Sequence, residues 1–106
     1  MVKWTPKSEE DLDKIREHIA ENFNVDLAIE TVNEIIDEVE RILSNNPLAG
    51  ALLESNPLFS KLVVQGNSVY YCENPKDHDL YIVYVHARST DLKDQRLTDK
   101  AVKHPF

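Results

Sequence analysis

Apolar residues recur at helical spacing through the first half of the chain and at strand-like spacing through the second. After Pro6, Leu12, Ile15, Ile19 and Phe23 fall three or four positions apart, and acids crowd the first turn, where the helix dipole favours them. Ser8 with Asp11 three residues on resembles a helix-capping pair. Asn22 to Asn24 reads as a break. Ala28, Val32, Ile35, Ile36, Val39, Ile42 and Leu43 then form a second apolar stripe, with Glu30, Glu34, Asp37, Glu38 and Glu40 on the other side. Ser44-Asn45-Asn46-Pro47 ends it. The spacing predicts an antiparallel helical hairpin over residues 8–45, because so short a connection favours neighbours that run in opposite directions.

Beyond Pro57 the period changes. Leu58 to Gln65, Ser68 to Glu73 and Leu80 to Ala87 are rich in aromatic and β-branched residues and read as a three-stranded meander over 58–88. Gly66-Asn67 and Asn74-Pro75-Lys76-Asp77 supply the turns. Val2-Lys3-Trp4 reads as a short first strand over residues 2–4. The predicted fold is α+β in the order β-α-α-β-β-β, a two-helix hairpin packed on one face of a small, mostly antiparallel sheet. One domain spans residues 1–106, and residues 89–106 form a polar tail with helical spacing through Asp91 to Val102. Strict alternation in the last strand puts Tyr81, Val83, Val85 and Ala87 on one face, and Ile82, Tyr84, His86 and Arg88 on the other. Both faces are apolar, so the one away from the helices needs a cover of its own, either the tail or another protein.

Charge divides the chain at the same place. The 106 residues carry a formal net charge of -7, but Ser8 to Glu54 holds 13 acids against Lys14, Arg16 and Arg41. From Leu58 onward six acids meet seven bases. The overall balance opposes non-specific binding to nucleic acid or anionic membranes, both of which need surplus Lys and Arg. A single cysteine, Cys72, closes no internal disulfide, and nothing matches zinc-ligand spacing. The longest stretch without Asp, Glu, Lys or Arg, Leu62 to Cys72, is too short for a membrane span, and the acids of the first twenty residues do not suit a secretory leader. These features point to a cytoplasmic protein with no cofactor.

The basic groups of the second half supply the candidate chemistry. Lys61, Tyr70, His86 and Arg88 fall on the sheet, the last two at the end of the final strand. Arg88 suits a phosphate or an acidic partner, and equally an ion pair with Asp91. His86, inside an apolar run, reads first as a structural histidine bonded within the sheet. The four tyrosines read mostly as sheet packing, and Cys72 as an inert strand thiol.

Several of these marks stand in a familiar order: Val2-Lys3-Trp4-Thr5, Asp11-Leu12 and Ile15, Ala28 and Ile35, Pro47 and Gly50, Leu62-Val63-Val64, Tyr70-Tyr71, and the closing His86-Ala87-Arg88. Together they resemble the RelE/ParE superfamily of toxins from type II toxin-antitoxin systems, over about Val2 to Arg88. The resemblance implies a toxin of plasmid-stabilisation type, neutralised by a cognate antitoxin. The ParE-like branch implies inhibition of a host protein such as DNA gyrase by protein-protein binding, with Ile82, Tyr84, His86 and Arg88 as partner-binding residues. The RelE-like branch implies instead a ribosome-dependent endoribonuclease acting on mRNA. There Arg88 and Lys61 would hold phosphate while His86 or Tyr70 moved the proton from an attacking 2′-OH. The set is sparse and the ending His104-Pro105-Phe106 lacks a tyrosine, which favours the ParE-like branch. A third reading is an inert member that keeps only partner binding. The resemblance also carries a mismatch, since these toxins are usually basic and this chain is acidic.

Overall fold

Two helices and five strands form within the described residues, 1–54 and 58–87, of the computed structural model. Their order is β1 (Val2–Trp4), α1 (Pro6–Asn22), α2 (Val25–Asn45), β2 (Ala51–Leu52), β3 (Ser60–Val64), β4 (Asn67–Glu73) and β5 (Leu80–His86). The tail expected over 89–106, including its helical spacing, lies outside the described residues, as does Arg88.

Proline chemistry sets where α1 begins. Pro6 has no N–H to leave unsatisfied and its fixed φ suits the first helical position. Thr5 therefore becomes the cap, in extended conformation, its Oγ1 accepting from the Ser8 amide at 3.2 Å. Ser8, expected to cap, lies one turn inside, fully buried, and its hydroxyl donates to the Thr5 carbonyl at 2.8 Å. Asn24 caps α2, its side-chain oxygen accepting from the Leu27 amide at 2.7 Å. The predicted stripe of α2 holds: Ala28, Val32, Ile35, Val39 and Leu43 are buried, the four larger side chains each contributing about 1.5–3 kcal/mol by leaving water. On α1 burial is confined to Ser8, Asp11 and Leu12. Phe23, expected to continue that stripe, is 70% exposed because it ends the helix at the hairpin tip.

The sheet runs β1-β5-β4-β3-β2, with β1 parallel to β5 and every other pair antiparallel. The first strand thus lies beside the last. Strand β2 is an addition to the predicted order: two residues at the sheet edge, too short to show an alternating pattern. Trp4 ties β1 to α2 through its indole N–H, which donates to Glu40 at 2.9 Å. Lys3 reaches Asp79 at 3.0 Å and Asp77 at 3.5 Å, binding β1 to the turn before β5.

The β3–β4 hairpin turns on Gln65-Gly66 rather than Gly66-Asn67. Both turn residues have positive φ, 51° and 81°, as a two-residue hairpin loop requires. Asn67 is instead the first residue of β4, and its side-chain Nδ2 donates back to the Val64 and Gln65 carbonyls. The second turn forms where expected, with the Asn74 side chain accepting from the Lys76 amide at 2.9 Å. Tyr71 fixes the path from α2 into the sheet. Its phenol accepts from the Gly50 amide at 2.9 Å and donates to the Pro47 carbonyl at 3.2 Å.

The core has two parts, one on each face of the sheet. Between sheet and helices lie Leu12, Val32, Ile35, Val39, Leu43, Val64, Val69, Tyr71, Ile82 and Val85. Opposite them, Leu53 and Phe59 pack with Tyr70, Cys72, Val83 and Tyr84.

Candidate functional site

The second face gathers most of the candidate chemical residues, and its geometry follows from strand register. Lys61 on β3 stands directly opposite Tyr70 on β4, Tyr70 opposite Tyr84 on β5, and Ser68 opposite His86. Cross-strand partners on one face approach closely enough for their side chains to interact. The Lys61 ammonium sits 5.9 Å from the Tyr70 ring centre. The His86 ring meets that of Tyr70 edge-on at 5.1 Å and lies 5.9 Å from that of Tyr84.

Ile82 does not join them. Between Tyr70 and Tyr71 the register slips: Tyr70 pairs with Tyr84, but Tyr71 pairs with Ile82, so β5 carries an extra residue. Such a bulge breaks the alternation of side chains. Ile82 and Val85 consequently face the helices, Ile82 with no exposure, while Val83 and Tyr84 pack on the opposite face. The partition expected for β5 from strict alternation is corrected at Ile82 and Val83.

Burial limits what these groups can do. Tyr70 has no exposed surface and His86 only 4%, so neither presents a ring nitrogen or hydroxyl to a large substrate from solution. Tyr84 and Lys61 are half-buried. Within residues 58–87 the cations are Lys61 and Lys76, and Lys76 sits in the β4–β5 turn. Burial pushes the Cys72 thiol up to about 12, which keeps it protonated and unreactive as expected.

A further residue, Asp11, reads in the sequence as a capping partner and a mark of the resemblance, but not as a partner of the last strand. Asp11 is 6% exposed, and its carboxylate accepts from the Val85 amide at 3.1 Å and from the Lys7 ammonium at 2.8 Å. Strand β1 ends its pairing at Trp4 opposite Ile82, leaving the edge of β5 beyond it for a side chain to satisfy. Thr5 fills the first place, its amide donating to the Ile82 carbonyl at 3.1 Å and its hydroxyl at 2.9 Å. Asp11 fills the next. Strand alternation gave no sign of this, because the acceptor comes from a helix.

On the other side of the sheet, near the end of α2, a groove of about 420 Å³ is lined by Leu43, Leu48, Leu52, Leu58, Tyr71 and Leu80 among others. Leu48, Leu52 and Leu58 are 86, 68 and 53% exposed, so leucines open part of its rim to solvent, beside the exposed Glu73 and His78. The sequence signal for it was weak: Leu48 and Leu52 follow Pro47 outside any predicted element, and Leu58 reads as the start of a strand run.

Residues 2–92 match the family model for the ParE toxin of the type II toxin-antitoxin system parDE. No curated protein matches the chain significantly. Among solved structures, a chain of the chromosomal ParDE toxin-antitoxin system from P. aeruginosa superposes with a TM-score of 0.68 at 24% identity, covering 81% of this chain and 92% of that one. A chain of the toxin-antitoxin complex RelBE2 from Mycobacterium tuberculosis superposes with a TM-score of 0.63 at 18% identity, covering 83% and 96%.

Proposed function

The chain belongs to the ParE toxin family of type II toxin-antitoxin systems, and from that premise we propose that it acts by binding and inhibiting a host protein such as DNA gyrase. A cognate antitoxin holds it inactive until released. The observation that carries this reading is the burial of the proton-transfer candidates on the sheet. Cleaving mRNA by 2′-OH attack requires a base, a phosphate-binding cation and an acid that all reach the same scissile bond. Tyr70 and His86 are buried, and Lys61 is the one half-buried cation beside them among the described residues. The net charge of -7 also opposes encounter with ribosomal RNA. A protein target makes no such demands.

Antitoxin binding has two supports. The half-buried Tyr84 on β5 offers one point of contact. The leucine-rimmed groove beside α2 offers a larger one, suited to apolar side chains of an extended or helical segment. Apolar contact answers the charge mismatch with the family, since it requires no basic toxin surface.

Induced expression of the chain alone in bacteria tests the reading. Growth arrest, reversed by co-expression of the product of the neighbouring gene, is the expected result. Trapped gyrase-DNA complexes then identify an inhibitor of gyrase, whereas codon-specific mRNA ends lost on Arg88→Ala indicate the ribonuclease. Normal growth with abundant folded protein overturns toxicity altogether and leaves a partner-binding member of the family.

A further inference from the structure

We propose that the free end of the helical hairpin docks a cationic amphipathic helix from a partner protein, at a surface separate from the sheet face and the leucine-rimmed groove. Helix α1 fully buries only Ser8, Asp11 and Leu12, with Ile15 the last of its residues packed against the core, and the first residue of α2 in the sheet-packed core is Val32. The hairpin therefore extends past the core as two helices held mainly by each other. At its end Phe23, Val25, Leu27 and Ile29 are 70, 60, 39 and 46% exposed. Four large apolar side chains are exposed there within seven residues, with Leu27 about half a turn round the helix from Val25 and Ile29. Val25 and Ile29 are one turn apart on the same side of α2, the spacing that a third helix would pack against.

Charge chooses the occupant. From Glu17 to Glu40 there are eight acids and no Lys or Arg. Glu21, Asp26 and Glu30 are exposed beside the apolar residues. A second copy of this chain would bring like charge against like, and a nucleic acid or anionic lipid would do the same. A helix with leucine-like residues along one side and Lys or Arg flanking them satisfies both parts of the surface. The proposal does not depend on whether the target is gyrase, nor on where the antitoxin binds.

Titration of the full chain with a synthetic Leu/Lys amphipathic peptide, followed by amide chemical shifts, tests this. Shifts centred on residues 19–30 are expected, with no binding by the matching Leu/Glu peptide. Val25→Ser with Ile29→Ser should weaken binding about tenfold, as should Glu21→Gln with Glu30→Gln. Val63→Ser, an exposed apolar change on the sheet, should leave it unchanged. Raising salt should weaken binding as the Debye length falls from about 10 Å at 0.1 M to about 3 Å at 1 M. The substituted side chains are exposed, so an unchanged melting curve confirms the variants are folded. Three results overturn the proposal: shifts centred on Leu48, Leu52 and Leu58; loss of binding with the charge variants but none with the serine variants; or a dimer of the chain that the serine variants abolish.

Discussion

Removing the carboxylate of Asp11 should cost this fold more than any single surface ion pair, and the cost can be divided into parts. Two interactions end at that carboxylate: the Val85 amide at 3.1 Å and the Lys7 ammonium at 2.8 Å. Val85 is 3% exposed, so in Asp11→Ala its N–H has no water to turn to. An unsatisfied buried donor costs about 1–3 kcal/mol, and hydrogen bonds to charged acceptors contribute about 1.5–3 kcal/mol. Lys7 remains about a third exposed, and a pair of that kind contributes less than about 1 kcal/mol once water screens it. Asp11→Ala should therefore lose roughly 2–4 kcal/mol, a large part of the stability of a domain this size. Asp11→Asn keeps an oxygen for Val85 and gives up the charge and the acceptor for Lys7, whose part-exposed ammonium turns to water, so its loss should stay near about 1 kcal/mol. Thermal melting reads the difference: about 10–20 °C for alanine against about 5 °C for asparagine. Hydrogen exchange at Val85 should accelerate in the alanine variant alone. Equal melting losses in the two variants, with the Val85 amide still protected in both, would refute the reasoning.

Other expectations concern the turns, the sheet edge and the thiol. A Cβ at Gly50 would stand 2.6 Å from the Tyr71 oxygen and 2.9 Å from the Lys61 carbonyl, so Gly50→Ala should destabilise by about 1–3 kcal/mol in urea melts. Gln65→Asn should stabilise by about 0.5 kcal/mol in the same assay, because asparagine tolerates the left-handed conformation at φ 51° better. Asp79 is held below its ordinary value of 3.8 by its hydrogen bond from Lys3, and Asp77 by its hydrogen bond from Tyr81. Both contribute stability above pH 3.8 that is lost as pH falls through their depressed values; Lys3→Met should flatten this acid limb in melts run below about pH 4. Cys72, raised to about 12, should resist a thiol reagent at pH 8 in the folded protein and react on unfolding, and rapid labelling of the native chain would contradict its burial.

The elements that depend on many residues in period were legible in the sequence. The stripe of α2 and the three strand runs each repeat a pattern often enough to outvote one odd position. The features that depend on a single residue were not. Strict alternation in β5 fails because Val83 is extra, between Ile82 and Tyr84, which keep their β4 partners, and no composition signal marks a bulge. The turn at Gln65-Gly66 was displaced by one because asparagine is the commoner residue at positive φ, yet here it serves the strand that follows. Thr5 took the cap from Ser8 because Pro6 fixes the start of the helix. Strand β2 exists only by pairing with β3, a long-range event that two residues cannot announce. At the candidate site the strand positions of Lys61, Tyr70, Tyr84 and His86 were readable, but the full burial of Tyr70 was not, since Leu53, from outside the predicted strand runs, packs in the same cluster. The leucine-rimmed groove is likewise a property of three segments meeting, and none of them reveals it alone.

The parallel pairing of β1 with β5 also has a consequence during synthesis. Val2 to Trp4 find their strand partners only at Leu80 to Ile82, and the Asp11 carboxylate finds Val85. A chain emerging from the ribosome can form the helical hairpin early, since α2 carries its own cap and stripe. Its sheet stays open along one edge until β5 is made. Loop closure over so long a span comes late and slowly compared with local helix formation. A nascent chain thus exposes the side of α1 and α2 that β5 will cover for most of its translation. A protein that recognises that uncovered side would meet the toxin before the toxin is complete.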